Sequence, residues 1–111
     1  MEPIELAMVR GRALEFLRAW LDRERPISFG SEPTYMVDDL LQEILAHNGY
    51  PMTRAMLNGS IMTYLRDAGL AEYRTSQPAG PKGPALISWR ITHDGMAVLE
   101  GRKIDDGVRV L

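Results

Sequence analysis

The chain contains no cysteine, which excludes disulfides, thiol catalysis and Cys-based zinc or iron–sulfur sites and fits a reducing compartment. No apolar run approaches the roughly 20 residues that a membrane span needs, and there is no signal-peptide pattern. A soluble, cytoplasmic protein without membrane contact is therefore expected. Repeats and low-complexity tracts are also missing. Positive charge is in short supply: the net charge is −2, which argues against strong non-specific binding of polyanions.

The usual marks of catalysis are absent too. His47 and His93 have no second His or Cys at ligand spacing, so neither a metal nor a cofactor is expected. Asp38 with Asp39, and Asp105 with Asp106, are adjacent pairs whose side chains diverge, whereas acid–base catalysis needs carboxylates that converge on one substrate. They read as solvated surface. None of Ser28, Ser31, Ser60, Ser76 and Ser88 sits in a nucleophile-elbow setting, and Gly80 to Gly83 lacks the Gly-Lys-Ser/Thr step of a phosphate-cradling loop. The sequence predicts a protein that is not an enzyme.

What is present is a well-punctuated order of elements over 111 residues, enough for one modest core. Thr53 is a good N-cap after Pro51, and Leu57, Ile61, Tyr64, Leu65 and Ala68 lie on one helical stripe that Gly69 ends. Leu70 to Thr75 and Ala85 to Ile91 read as strands. The loop between them holds Pro78, Gly80, Pro81, Gly83 and Pro84 and suits a hairpin tip. Thr92 then caps a short helix with apolar Met96, Val98 and Leu99, closing at Gly101.

Upstream, a helix is predicted over Pro3 to Arg23, started by Pro3 and stopped by Pro26. Leu6, Val9, Ala13, Phe16 and Trp20 form its stripe, and Leu14, Leu17 and Leu21 widen it. The extra width has two readings: the helix edges are covered within the domain, or the helix also packs on a second copy to give a homodimer. Ile27 and Phe29 are candidates for a short strand that joins the hairpin as its third. Ser31 or Thr34 would cap a second helix with Val37, Leu40, Leu41, Ile44 and Leu45 facing the core and Asp38 and Asp39 at its positive end. Asn48 and Gly49 end it, and the short turn from Asn48 to Met52 sets the two helices at a steep angle. In the tail, Ile104, Val108 and Val110 are candidates to fold back on the domain.

The fold class expected is α+β: a winged helix-turn-helix, with a three-helix core, a β-hairpin wing and a C-terminal helix. It forms one domain over residues 1–111, divided into an N-terminal helix (1–25), the helix-turn-helix (34–69), the wing (70–91), the C-terminal helix (92–101) and a tail (102–111).

Charge is unevenly distributed along this order. Residues 1–25 balance. Residues 26–52 carry Glu32, Asp38, Asp39 and Glu43 against no Lys or Arg, whereas residues 53–91 carry Arg54, Arg66, Arg74, Lys82 and Arg90 against Asp67 and Glu72. The cations thus fall on the third helix and the wing, where phosphate contacts would be wanted.

With Leu57, Ile61 and Leu65 inward, a step of about 100° per residue turns Ala55, Met56, Gly59, Met62, Thr63 and Arg66 outward, with Arg54 and Asn58 at the margins. Arg54, Asn58 and Arg66 have the donors to reach base edges or phosphates, and Thr63 a methyl for thymine. Met56 and Met62, extended by Tyr50 and Met52, offer the adaptable surface typical of protein partners.

Several short motifs carry a resemblance. Ala68-Gly69-Leu70 ends the third helix, and Trp89-Arg90-Ile91-Thr92-His93-Asp94-Gly95 leads into Met96-Ala97-Val98-Leu99. Residues 10 to 100 resemble winged-helix regulators of the arsenic-repressor, multiple-antibiotic-resistance and phenolic-acid-repressor type. In those, a Gly-Leu step precedes the wing and a "Leu-Thr-x-x-Gly" helix start follows it. The ending, with Gly101-Arg102 and then Gly107-Val108-Arg109, is similar to the tail of a small winged-helix-like family of Mu-like transposable phages, although Val110-Leu111 stands where a proline-containing tail would be. These resemblances imply a fold and, for the second, a phage or prophage origin.

Two functions are therefore carried forward. One is a dimeric DNA-binding transcription regulator that sets residues 53–67 in a major groove of double-stranded DNA, with Arg54, Asn58, Thr63 and Arg66 as contacts and Arg74 and Lys82 of the wing on phosphates or the minor groove. The other is a protein-interaction module of the same fold that meets its partner through Met56 and Met62.

Overall fold

In a computed structural model, which describes residues 3–23, 35–76 and 86–110, the first helix, α1, runs over Pro3–Asp22. Pro3 loses nothing in a first turn, where its missing N–H has no intrahelical acceptor, and Glu5 favours the positive end of the helix dipole. The helix buries Val9, Ala13, Leu14 and Leu17, and its half-buried Leu6, Phe16, Trp20 and Leu21 pack on the same core. It touches two further helices, the third strand of the sheet and the last helix. A helix with neighbours on several sides needs a wide apolar stripe. The width is accounted for within one chain and does not require a second copy.

The chain next pairs with the sheet as β1 (Met36–Val37) and turns directly into helix α2 (Asp38–His47). This corrects the expected start of the second helix. Val37 is not on its core stripe: it occupies the N-cap position in an extended conformation with no side-chain cap, because pairing of Met36 with Trp89 and of Val37 with Ser88 holds this stretch straight. The expected strand at Ile27 and Phe29 and the caps Ser31 and Thr34 lie outside the described residues. Leu41 and Leu45 of α2 are buried, and Leu40 and Ile44 are half-buried against the core.

A third helix, α3, follows the turn. It is α-helical over Arg54–Met56, π-helical over Leu57–Met62 and α-helical again over Thr63–Asp67. It leads into strand β2 (Ala71–Ser76), strand β3 (Leu86–Ile91) and helix α4 (His93–Leu99). The sheet is antiparallel throughout with the order β1-β3-β2, registered from Ala71 opposite Ile91 to Ser76 opposite Leu86. The connection that holds Lys82 lies outside the described residues. Among the described residues, no helix is long and apolar enough to cross a membrane.

Three of the helices end in one way. Gly49, Gly69 and Gly101 take φ of 92°, 77° and 78°, a left-handed turn that only glycine adopts without strain. The residue after each glycine, namely Tyr50, Leu70 and Arg102, donates its N–H back to the carbonyl of Leu45, Leu65 and Ala97 respectively. These caps fix where the chain leaves α2, α3 and α4.

The joint between α3 and α4 is close. Thr92 donates its hydroxyl to the Gly69 carbonyl at 2.6 Å, its N–H to the Leu70 carbonyl at 3.1 Å, and accepts from the Gly95 N–H at 3.1 Å. A Cβ at Gly95 would overlap the Leu70 carbonyl oxygen.

The tail is docked. Val108 is half-buried on the core, the Arg109 N–H donates to the Ala7 carbonyl at 2.9 Å, and a Cβ at Gly11 would overlap the Arg109 carbonyl oxygen. Ile104, in contrast, is 87% exposed and does not fold back.

Candidate nucleic-acid interface

The turn between α2 and α3 is held from two sides. Gln42 donates its side-chain amide to the Met52 carbonyl at 2.7 Å, and Asn48 donates its own to the Ile44 carbonyl at 2.7 Å. Thr53 then accepts from the Met56 N–H at 3.1 Å, satisfying one of the free donors of the first turn of α3. Helix α3 is thereby placed with an exact start.

Its π-helical middle changes which side chains face out. Bonding from residue i to i+5, as in the Thr63 N–H to the Asn58 carbonyl, adds about one residue to the turn. The constant α-helical step used for the sequence prediction fails there. Leu57, Ile61 and Met62 are all fully buried, so the placement of Met62 on the outer face is corrected: it is core, and no surface partner can reach it. Met56 is half-buried, while Ala55, Gly59 and Ser60 are exposed.

The expected contact residues divide into groups. Arg54 is about half exposed and pairs with Asp39, with its Nε 3.7 Å from Asp38. Asn58 is tied inward, its amide donating to Asp38 at 2.9 Å and its carbonyl oxygen accepting from the Trp89 indole N–H at 3.0 Å. Thr63 donates its hydroxyl to the Asn58 carbonyl. At the far end of α3, Arg66 pairs with the adjacent Asp67 at 3.1 Å and lies 5.5 Å from the centre of the Tyr73 ring. Arg74 stacks over Tyr35 at 4.5 Å and forms no ion pair among the described residues. Arg54 and Asn58 therefore converge on one acidic corner, while Arg66 and Arg74 belong to the hairpin side. Lys82 lies outside the described residues.

That corner was misread from sequence. Asp38 is not solvated surface but 3% exposed, at the first position of α2, where the free N–H groups and the helix dipole favour a carboxylate. Asn58 and Arg54 supply its remaining partners. A buried carboxylate is tolerated only with such support. The signal available in the sequence was the polar Asn58 on a helix whose neighbours in the stripe are apolar.

A second polar cluster, also unforeseen, gathers behind α3. Arg10 of α1 donates twice to the Ser60 carbonyl, at 3.0 and 3.2 Å, and once to the Gly107 carbonyl at 3.2 Å, with its guanidinium 3.9 Å from the centre of the Tyr64 ring. Tyr64 donates its hydroxyl to Asp105 at 2.6 Å, and this bond, with burial and the Asp105 charge, raises the phenol's pKa above its ordinary 10.0. Gly107 N–H donates to the same carboxylate at 2.9 Å.

No three His, Asp or Glu side chains among the described residues are grouped to hold a metal ion. No family model, curated protein or solved structure matches the chain.

Proposed function

We propose that the chain is a winged-helix domain that holds duplex DNA chiefly through the phosphates, with α3 against the major groove and the β2–β3 hairpin beside it. The observation that carries this reading is the order of elements. Two helices joined by a short capped turn lead into an antiparallel hairpin whose second strand pairs with β1, giving the sheet order β1-β3-β2. Arg54 stands at the start of α3, Arg66 at its end and Arg74 on the first hairpin strand.

The face between these cations suits close approach. Ala55, Gly59 and Ser60 are exposed and small, and nothing lies within 4 Å of where a Gly59 Cβ would be. The ion pairs of Arg54 with Asp39 and of Arg66 with Asp67 are at the surface, where such pairs are worth about 0–1 kcal/mol, so a phosphate can take Arg66 at little cost, and Arg54 where its Nε stays beside the buried Asp38. Asn58, held by Asp38 and Trp89, serves to position α3 rather than to read bases. Sequence selectivity should accordingly be modest, and a role in transcription regulation would draw on further contacts from the hairpin.

The carboxylate partners of Arg54 and Arg66 also favour a second reading, a protein-interaction module that uses the same small-residue face with Met56 at its edge. The two readings differ in salt dependence, because phosphate neutralisation releases counterions. The test is a fluorescence-anisotropy titration with mixed-sequence duplex at low and moderate salt, on protein of known oligomeric state. Affinity on the order of micromolar at low salt that collapses as salt rises is expected. A folded sample that does not bind at low salt overturns the DNA reading in favour of a protein partner.

A further inference from the structure

The π-helical turn of α3 lies between two side-chain locks. At its N-terminal end, within the π segment itself, Asn58 is bonded to Asp38 of α2 and to Trp89 of β3. On its C-terminal side, Tyr64 is stacked under Arg10 of α1 and bonded to Asp105 of the tail. Between them, the Ser60 carbonyl takes two donors from Arg10, the same guanidinium that reaches the Gly107 carbonyl.

A π turn carries one residue more than the α-helix it interrupts and has poorer backbone bonding, so it persists where the surroundings determine it. Here the surroundings are the two locks. Reversion to α-helix would change the angle between Asn58 and Tyr64 by about 100°, one residue's step. One of the two side chains would have to leave its partners. The Asn58 lock belongs to the core, since Asp38 and Trp89 are both almost fully buried. The Tyr64 lock depends on the tail, which contributes Asp105 and Gly107 and is otherwise exposed at Ile104.

We infer that residues 103–110 form a strap whose docking sets the register of α3: with the strap seated, the π turn is held and Met62 is buried, and with the strap lifted, the turn relaxes and the exposed face of α3 changes. The strap and the middle of α3 are one coupled two-state element. If α3 binds DNA as proposed above, the strap is a means of regulating that contact, but the coupling itself does not depend on the DNA reading.

Gly107 offers a specific way to lift the strap. A Cβ there would overlap the Tyr64 hydroxyl and ring, and that ring is held by Arg10 on its face and by Asp105 at its hydroxyl. The test compares the full chain with Gly107→Ala and with Asp105→Ala, which removes the Tyr64 acceptor without adding bulk. The readout is amide hydrogen exchange followed by NMR.

Faster exchange at the Arg109 amide, together with an acceleration of about tenfold at the amides of Ile61 to Leu65 and none in the β2–β3 ladder, is the expected result for local opening of this kind. Exchange that speeds at Arg109 in both variants while α3 stays protected would overturn the coupling. The measurement uses no DNA, so a failure of the DNA titration leaves it untouched. A negative result here leaves the DNA reading standing.

Discussion

The side-chain amide of Asn58 joins the buried carboxylate of Asp38 to the indole of Trp89, through bonds of 2.9 and 3.0 Å. Three elements, α2, α3 and β3, thus meet at one amide. Replacing it should leave both partners buried and short of a bond. Asn58→Ala is expected to destabilise the fold by about 1–3 kcal/mol, the range for orphaned buried polar groups, and Asn58→Asp by more, because two carboxylates would then face each other. Urea unfolding measures this. A midpoint unchanged in Asn58→Ala would mean that the side chain is free at the surface, as a base-reading residue would be.

Two glycines should respond in opposite directions. A Cβ at Gly95 would overlap the backbone carbonyl oxygen of Leu70, and backbone cannot step aside as a flexible side chain can. Gly95→Ala is expected to cost about 1–3 kcal/mol, the usual scale of overpacking. At Gly59 the same Cβ meets nothing within 4 Å, so Gly59→Ala should stabilise by roughly 0.5–1 kcal/mol through the loss of unfolded-state freedom. Thermal melts of the pair decide it, and equal effects would contradict the close joint between α3 and α4.

These contrasts also show what was legible in the sequence. Local chemistry was readable: Thr53 and Thr92 cap the helices assigned to them, the three left-handed glycines end theirs, and both hairpin strands fall within a residue or two of their predicted bounds. Each of those features is decided by neighbours in the chain. The errors concern effects that arrive from elsewhere in the fold. Met36 and Val37 are drawn into a strand by Trp89 and Ser88 respectively, Asp38 is buried with Asn58 and Arg54 as partners, and Met62 turns inward because the π turn breaks the helical step. Gly11 interrupts a long helix at some intrinsic cost, and the reason is the Arg109 backbone that crosses it.

The arginines of α3 permit a separation of binding from folding. Arg54→Ala with Arg66→Ala removes two exposed ion pairs, worth about 0–1 kcal/mol each, and the 3.7 Å contact of Arg54 with the buried Asp38, which keeps its bond from Asn58, so the thermal midpoint should fall while the variant still folds. DNA binding, in the proposed mode, should be lost at moderate salt and its salt dependence should become shallower. Binding by the double variant indistinguishable from that of the parent would show that α3 is not the contact.

The bond from Tyr64 to Asp105 makes one prediction with a definite sign in pH. The phenol's pKa in the folded protein is raised, first by its hydrogen bond to Asp105 and then by burial. The folded state therefore binds this proton more tightly than the unfolded chain does, where the value is the ordinary 10.0. Stability from this source is fully present below that value and is lost as pH rises through the raised folded pKa. Above it, a phenolate would face the Asp105 carboxylate, so the strap should lift. Tyr64→Phe lacks the titrating group altogether. The stability difference between parent and Tyr64→Phe should hold constant up to about pH 10 and shrink or reverse beyond it. A difference that stays constant through strongly alkaline pH would mean that the hydroxyl and the carboxylate are not bonded in solution, and the C-terminal lock on α3 would have to be sought at Arg10 alone.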